Sequence, residues 1–284
     1  MATAAGKPSI EDILRDRLAR GELDLPPLPE VAQRVLALSS DPKATSEDLA
    51  RVVSRDQGLA AGILRAANSA ALGGRVKVVS LSQAVNRLGM QQISDMAVSL
   101  ALRSKDFHTE RFDKELRSFW KHALASGAFA KQVARAARQD AEKAFLCGLL
   151  HHVGKPLVLL AIGSLATRVA RRADTAQIEQ AVERLHRPVG LAAAEAWELP
   201  KTLHEVIGFW DDYERAPTFK VPAMVTCAAD RLATFALDPG RSAREAVEDH
   251  PVFTDLGLGD GATQELLARA EEVLAETNML ADGS

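Results

Sequence analysis

Apolar residues recur at spacings of three and four along almost the whole sequence, and runs that alternate apolar with polar residues are scarce. The first spacing places apolar side chains on one face of an α-helix, whereas strict alternation is typical of a half-buried strand. Ala and Leu are the commonest residues, whereas aromatic residues, which are enriched in strands, are few, with one Tyr and three Trp. The pattern predicts an all-α protein.

The helical pattern divides into two lobes with an extension at each end. A charged interval, RSKDFHTERFDKE, separates the two groups of predicted helices. We expect an N-terminal helical extension at residues 1–22, a first lobe at 23–105, a second lobe at 110–238 and a C-terminal helical tail at 239–284.

Capping residues and prolines give the predicted helix boundaries. The predicted N-caps of the first lobe are Thr45 or Ser46, then Asp56, then Ser80 or Ser82. Predicted helices of the second lobe cover residues 112–138, 141–153, 156–172, 175–185, 189–198, 201–210 and 221–237. His186 is expected in a loop beside Pro188, and the tail is expected to carry one amphipathic helix, TQELLARAEEVLAE.

Composition and charge restrict the class of protein. The 284 residues carry a net charge of -3 with both signs interspersed, which disfavours a nucleic-acid partner. No stretch approaches the roughly 20 uninterrupted apolar residues that span a bilayer, and the N-terminus is charged where a signal peptide would be apolar. We therefore expect a cytoplasmic protein with no membrane partner. Cys147 and Cys227 lie in apolar sequence and are expected to be free thiols.

The segment from Ala144 to Pro156, AFLCGLLHHVGKP, carries the strongest chemical signal. His151 and His152 end an apolar run, and a buried imidazole needs a hydrogen-bond partner or a metal because leaving it unpaired costs about 1–3 kcal/mol. The segment resembles GLLHDIGK, the signature of the HD superfamily of metal-dependent phosphohydrolases. His152 stands in place of that family's aspartate, and a neutral imidazole cannot replace a carboxylate that bridges two cations. The resemblance implies an HD-like fold whose hydrolytic centre is lost or rebuilt.

A second match lies in the first lobe. The segments LPPLPEVAQRVLAL, SRDQGLAAGILRAANSAALGG and SLSQAVNRLGMQQISDMAVSLAL resemble the N-terminal half of HDOD domains. With FWKHA, RPVGLAAAEAWELP and CAADRLA, the resemblance covers about residues 23–238. HDOD domains resemble HD phosphohydrolases that often lack the metal ligands, and they serve as output modules in bacterial signal transduction. The resemblance implies a two-lobed, all-α HDOD/HD-like fold.

The resemblance also implies a set of vestigial metal ligands. The superfamily's two histidine positions and two aspartate positions fall, in chain order, on His122, His151, His152 and Asp230. Related cyclic-dinucleotide phosphodiesterases hold a second metal with further histidines. His186 matches one of those positions, but Phe209 and Trp210 replace the expected pair, so a bimetallic site is not expected.

Two interpretations of these four residues remain open. Three imidazoles and one carboxylate would favour Zn, Fe or Mn over Mg. Alternatively, the residues form a hydrogen-bonded polar cluster in which Asp230 orients an imidazole, and we favour this interpretation because a missing ligand is typical of an inactive site. Lys155 would contact phosphate in an active relative, or would balance the dipole at a helix C-terminus.

We therefore expect a non-enzymatic bacterial signal-transduction output or scaffold module, a pseudoenzyme with no cofactor beyond a vestigial divalent metal. It would bind a signalling protein, or a nucleotide second messenger, in the cleft or on the surface between its two lobes. The alternative is a metal-dependent phosphohydrolase or phosphodiesterase acting on a nucleotide. That enzyme would use the four candidate ligands and Lys155.

Overall fold

The computed structural model describes residues 8–39, 41–69, 77–165, 173–240 and 244–282. Every regular element in these ranges is helical, which confirms the predicted all-α class. The predicted helix end near residue 172 lies outside the described residues.

Six α-helices precede the central part of the chain. They are α1 (Ile10–Ala19), α2 (Glu30–Ser39), α3 (Ser46–Val53), α4 (Gln57–Ala67), α5 (Leu81–Leu88) and α6 (Met90–Ala101). The side chains of Thr45, Asp56 and Ser80 accept hydrogen bonds from the first turns of α3, α4 and α5. Each cap satisfies a backbone N–H that the helix itself leaves unpaired.

The second half begins after two short 3-10 turns, Lys105–Phe107 and Glu110–Phe112. Its helices are α7 (Asp113–Ala136), α8 (Ala141–Leu150), α9 (Gly154–Ser164), α10 (Thr175–Ala196), α11 (Lys201–Phe209) and α12 (Lys220–Leu237). The four tail helices are α13 (Arg244–Glu248), α14 (Pro251–Asp255), α15 (Asp260–Ala268) and α16 (Ala270–Asp282).

The predicted break at Pro188 was wrong, because α10 continues through this residue. A proline inside a helix loses one backbone hydrogen bond and crowds the preceding turn. Here Leu185 and His186 before Pro188, and Val189 and Gly190 after it, are all buried. The stripe of buried residues thus runs unbroken across Pro188, and packing along it outweighs the local cost.

The single predicted tail helix was also wrong, because the structure has α15 and α16 in its place. Arg269 separates them, and its guanidinium donates to Gln132 of α7 and to Glu272 of α16. This side chain fixes the bend against α7. Leu266, Leu267 and Val273 are buried against α7 and α12, so the tail belongs to the packed core.

Two hydrophobic clusters build the core, and α7 contributes to both. The first cluster is continuous from α1 to α11, across the charged interval that predicted a lobe boundary. Phe107, from this interval, packs edge-on against Trp120 and Trp197, with ring centroids 6.2 and 6.0 Å apart. The second cluster joins α7 to α12 and the tail.

One stretch, Lys143–Ser164, is long and apolar enough to cross a bilayer by length and composition. It covers α8, the histidine turn and α9, and 83% of its apolar window is buried inside the fold. Packing against neighbouring helices accounts for its apolar character.

Candidate functional site

Two glycines position the turn that carries His151 and His152. A Cβ on Gly148 would stand 2.4 Å from the Ser126 carbonyl oxygen, and one on Gly154 would stand 1.7 Å from the His186 carbonyl oxygen. The backbone of α8 therefore lies directly against α7, and that of α9 against α10. Because both approaches exclude any side chain, the turn between the glycines is held at the meeting point of these helices.

The four candidate ligands converge on one carboxylate oxygen. Asp230 Oδ1 lies 2.9 Å from His122 Nε2, 3.2 Å from His151 Nε2 and 3.8 Å from His152 Nδ1. The Ser126 hydroxyl lies 3.2 Å from His122 Nε2. The ligand atoms of the four residues lie within 4.8 Å of one another. The structure thus brings together all four residues singled out in the sequence, although their role stays a prediction.

The hydrogen bonds of His151 determine which of its ring nitrogens carries a proton. His151 Nδ1 lies 2.7 Å from the Gly148 carbonyl oxygen, which can only accept, so Nδ1 is the protonated nitrogen. In a neutral ring, Nε2 then presents a lone pair to Asp230 Oδ1 at 3.2 Å. Two lone pairs at that distance repel each other unless a proton or a metal ion lies between them.

Burial keeps these imidazoles neutral. It lowers the pKa of His151 against the opposing effect of Asp230. Burial, followed by the neighbouring His151 ring, against which a second positive charge would be unfavourable, holds the pKa of His152 well below its usual range. Burial would raise the pKa of Asp230, but the adjacent imidazoles, His122 first and then His151, oppose it and hold that pKa well below its usual range. The cluster therefore holds an ionised carboxylate beside the neutral rings of His151 and His152.

Trp210, which stands in place of one of the two histidines expected for a second metal, packs against the cluster. Its ring meets those of His151 and His152 edge-on, with centroids 5.0 and 4.8 Å away. Among the described residues, neither Trp210 Nε1 nor His152 Nε2 has a hydrogen-bond partner, and both atoms are buried. An indole N–H cannot ligate a cation, so Trp210 offers no replacement for the missing pair of histidines.

The donor set fits one transition metal and does not fit a pair of hard cations. Three imidazole nitrogens and one carboxylate oxygen suit Zn, Fe or Mn. Two Mg²⁺ ions would require more oxygen ligands than Asp230 supplies. His122, His151, His152 and Asp230 are the residues that would hold such an ion.

A cleft of about 890 Å³ opens beside the cluster. Its walls come from α7, α9, α10, α11 and α12, so it lies within the second lobe. A smaller pocket of about 440 Å³ does lie between the two lobes, where Leu36 and Gln91 face Lys143 and Leu203. The charged and aromatic side chains that line the larger cleft are Phe119, Lys121, His122, His152, Lys155, Glu183, Arg184, His186, Arg187, Trp210, Asp211, Asp230 and Asp238.

Lys155 lies in the first turn of α9, so the expectation that it balances a helix C-terminus was wrong. It lines the cleft, and its ammonium lies 6.0 Å from the centre of the Phe119 ring. His186 is buried inside α10, where Nδ1 donates to backbone carbonyl oxygens, instead of in the expected loop. Burial and the nearby Lys155 charge lower the pKa of His186.

Comparison with known proteins agrees with this fold. The HDOD domain family matches residues 25–213. This chain belongs to the HDOD family. A crystallised HDOD domain protein of unknown function from Geobacter sulfurreducens superposes with a TM-score of 0.73, at 22% identity over 94% of this chain and 97% of that one.

A protein from Shewanella amazonensis SB2B that carries the name of a metal-dependent phosphohydrolase superposes with a TM-score of 0.70. It is 23% identical, with 94% of this HDOD chain and 98% of that chain covered. An uncharacterised protein of Treponema pallidum (strain Nichols) is 25% identical over 223 residues. That match covers 76% of this chain but 43% of the relative. These similarities establish the fold of the HDOD protein and leave its chemistry open.

Sequence reasoning missed Arg184 and Arg187, which line the cleft of this HDOD protein. Arg187 donates two hydrogen bonds to Asp211 at 2.6 and 2.7 Å, and Arg184 contacts Glu11 of α1 at 3.3 Å. Arg184 and Arg187 are three positions apart, and this spacing could have predicted that they share one face of a helix. Residues three and four positions apart share a helix face, but the predicted break at Pro188 removed that helix.

Proposed function

We propose that this HDOD protein is a non-enzymatic bacterial signal-transduction output or scaffold module. It acts in the cytoplasm by binding a signalling protein or a nucleotide messenger. The observation that carries the proposal is the composition of the cluster. Asp230 is the only carboxylate among the four converging residues, and three imidazoles already surround it.

Hydrolysis of a phosphodiester in an HD-type site relies on carboxylates that hold hard cations and a bound water. His152 cannot supply the negative charge of an aspartate, because an imidazole is either neutral or positively charged, and burial keeps this ring neutral by holding its pKa well below the usual value. Trp210 occupies the neighbouring side with a ring that offers no ligand. Both features support a binding role over a hydrolytic one.

The second candidate is a metal-dependent phosphohydrolase or phosphodiesterase acting on a nucleotide. One observation favours it: the His151 lone pair faces an ionised carboxylate at 3.2 Å, an arrangement that a bound cation would stabilise. When bound, a metal would polarise a phosphoryl oxygen or lower the pKa of a water molecule. Lys155 would hold phosphate at the cleft wall.

Metal analysis of protein purified without chelator separates the two candidates. The proposed function predicts a transition-metal content far below one per chain, with the same value in wild type and in His151→Ala. About one metal per chain in wild type, lost in His151→Ala, would favour the enzyme. Asp238→Ala is the matched control, because Asp238 is an exposed carboxylate at the cleft margin.

A further inference from the structure

The N-terminal helix α1 lies outside the residues that match the HDOD family, yet it is packed against the wall of the cleft. Ile10 and Leu14 are buried against the rest of the protein, and α1 contacts both α9 and α10. Ser9 and Asp12 form a complete capping box at its start. α1 is therefore a well-formed helix docked on the two helices that carry Lys155 and Arg184.

The guanidinium of Arg184 contacts α1 and also lines the cleft. Glu11 of α1 accepts hydrogen bonds from Arg15 at 2.6 Å and from Arg184 at 3.3 Å. The Glu11 side chain is 14% exposed, whereas that of Arg184 is 58% exposed and lines the cleft. A ligand in the cleft can reach Arg184 without displacing α1 from its apolar contacts.

Four basic side chains and four carboxylates line the cleft, so an anion would bind beside the basic ones. Asp230 is enclosed by imidazoles, and Asp211 is bound by Arg187. The remaining carboxylates, Glu183 and Asp238, are exposed, so solvent screens them more strongly than the half-buried ammonium of Lys155. Lys121 adds a further positive charge at the rim.

The volume of the cleft and the aromatic side chains in its wall narrow the class of ligand that it can bind. A cavity of about 890 Å³ can hold a nucleotide. Phe119 and Trp210 are half-buried and offer aromatic surface at its wall, on which a nucleobase can stack. Arginine and lysine side chains are the usual partners of phosphate.

We propose that a phosphate-bearing anion of nucleotide size binds in this cleft without a metal and competes with Glu11 for Arg184, so that its binding loosens α1. The inference rests on the proposed binding function, because a hydrolase would consume the ligand. Two anions at one guanidinium repel each other and share its N–H donors. Thermodynamic linkage makes the effect reciprocal. A change that weakens the contact between Glu11 and Arg184 must therefore increase the affinity for the ligand.

Titration calorimetry with tripolyphosphate, in EDTA and at low ionic strength, tests the coupling. Glu11→Gln should bind about two- to five-fold more tightly than wild type, the range expected for loss of one exposed ion pair. Asp16→Asn is the matched control, because it removes the same charge from the same helix, where Asp16 pairs only with Arg20 among the ion pairs described. Arg184→Gln should weaken binding and abolish the effect of Glu11→Gln.

Hydrogen exchange of the α1 amides provides the second measurement. Tripolyphosphate should accelerate exchange in wild type and leave it unchanged in Arg184→Gln. Absence of binding in EDTA, equal affinities for Glu11→Gln and Asp16→Asn, or α1 exchange that does not respond to tripolyphosphate would overturn the inference. None of these results requires turnover, so they would overturn the inference and leave the proposed non-hydrolytic function standing, and a turnover assay tests that function separately.

Discussion

Gly154 and His186 lie backbone against backbone, so closely that a methyl group on Gly154 would stand 1.7 Å from the His186 carbonyl oxygen. This contact fixes α9 against α10 immediately after the histidine turn. It also ties the position of His151 and His152 to the helix that carries the cleft residues Arg184 and His186. The geometry of the cluster thus depends on a residue that has no side chain.

Gly154→Ala should destabilise the protein by about 2–3 kcal/mol, because the backbones of α9 and α10 must separate to admit the methyl group. Gly208→Ala is the control, since its added carbon would meet Leu191 at an ordinary contact distance of 3.7 Å. Denaturant unfolding measures both. Equal stabilities of Gly154→Ala and wild type would show that the approach of α9 to α10 is looser than described.

Asp230→Ala should lower the free energy of unfolding by about 1–3 kcal/mol, with or without chelator, because it removes the buried acceptor to which His122 Nε2 donates. Asp238→Ala, a change at an exposed carboxylate, should have little effect. Denaturant midpoints in EDTA and in added Zn²⁺ provide the comparison. A loss confined to the metal-loaded samples would indicate a metal-holding cluster instead of a polar one.

Stability should decrease as the pH falls below about 6.5, the ordinary pKa of histidine in an unfolded chain. The pKa values of folded His151 and His152 are lowered, so these rings stay neutral while the unfolded chain takes up protons. Each ring contributes up to about 1.4 kcal/mol per pH unit within this window. Above pH 6.5 neither state gains a proton at these rings, so their contribution is constant.

The pH dependence is measured by unfolding in EDTA between pH 5 and 8. His152→Gln should flatten the slope below pH 6.5, because it removes one of the two buried rings whose pKa is lowered. Identical slopes for wild type and His152→Gln would contradict the assignment of a neutral, buried ring at position 152.

His152→Asp should raise the affinity for Mn²⁺, because it returns an anionic oxygen ligand beside Asp230. Without metal, the same change should destabilise the fold, since two buried carboxylates repel each other. Calorimetry with Mn²⁺ and unfolding in EDTA measure the two effects. If Mn²⁺ affinity stays at the wild-type value, the helices no longer hold the geometry of a metal site.

The sequence was sufficient for the helical class and for the convergence of the four candidate residues. The former follows from apolar spacing. The latter came from the matched motifs, because nothing local brings Asp230 to within 3.2 Å of His151, 79 positions away. The spacing of apolar residues cannot predict long-range contacts of this kind, and only the resemblance to HD proteins predicted them.

Other features depended on packing that a local pattern cannot show. Pro188 signalled a break that burial on both sides of it overrides. The sequence showed that Trp210 replaces an expected histidine ligand. Its edge contacts with His151 and His152, however, depend on how α11 packs against the rest of the protein. The pairing of Arg184 with Glu11 joins residues 173 positions apart and has no local signature.

The most direct test of the non-hydrolytic account is turnover of a phosphodiester by the purified protein in added Mn²⁺. Bis(p-nitrophenyl) phosphate and a cyclic dinucleotide serve as substrates, with His151→Ala as the comparison. The account predicts that wild type and His151→Ala show the same background rate on both substrates. Measurable turnover by wild type that disappears in His151→Ala would contradict it.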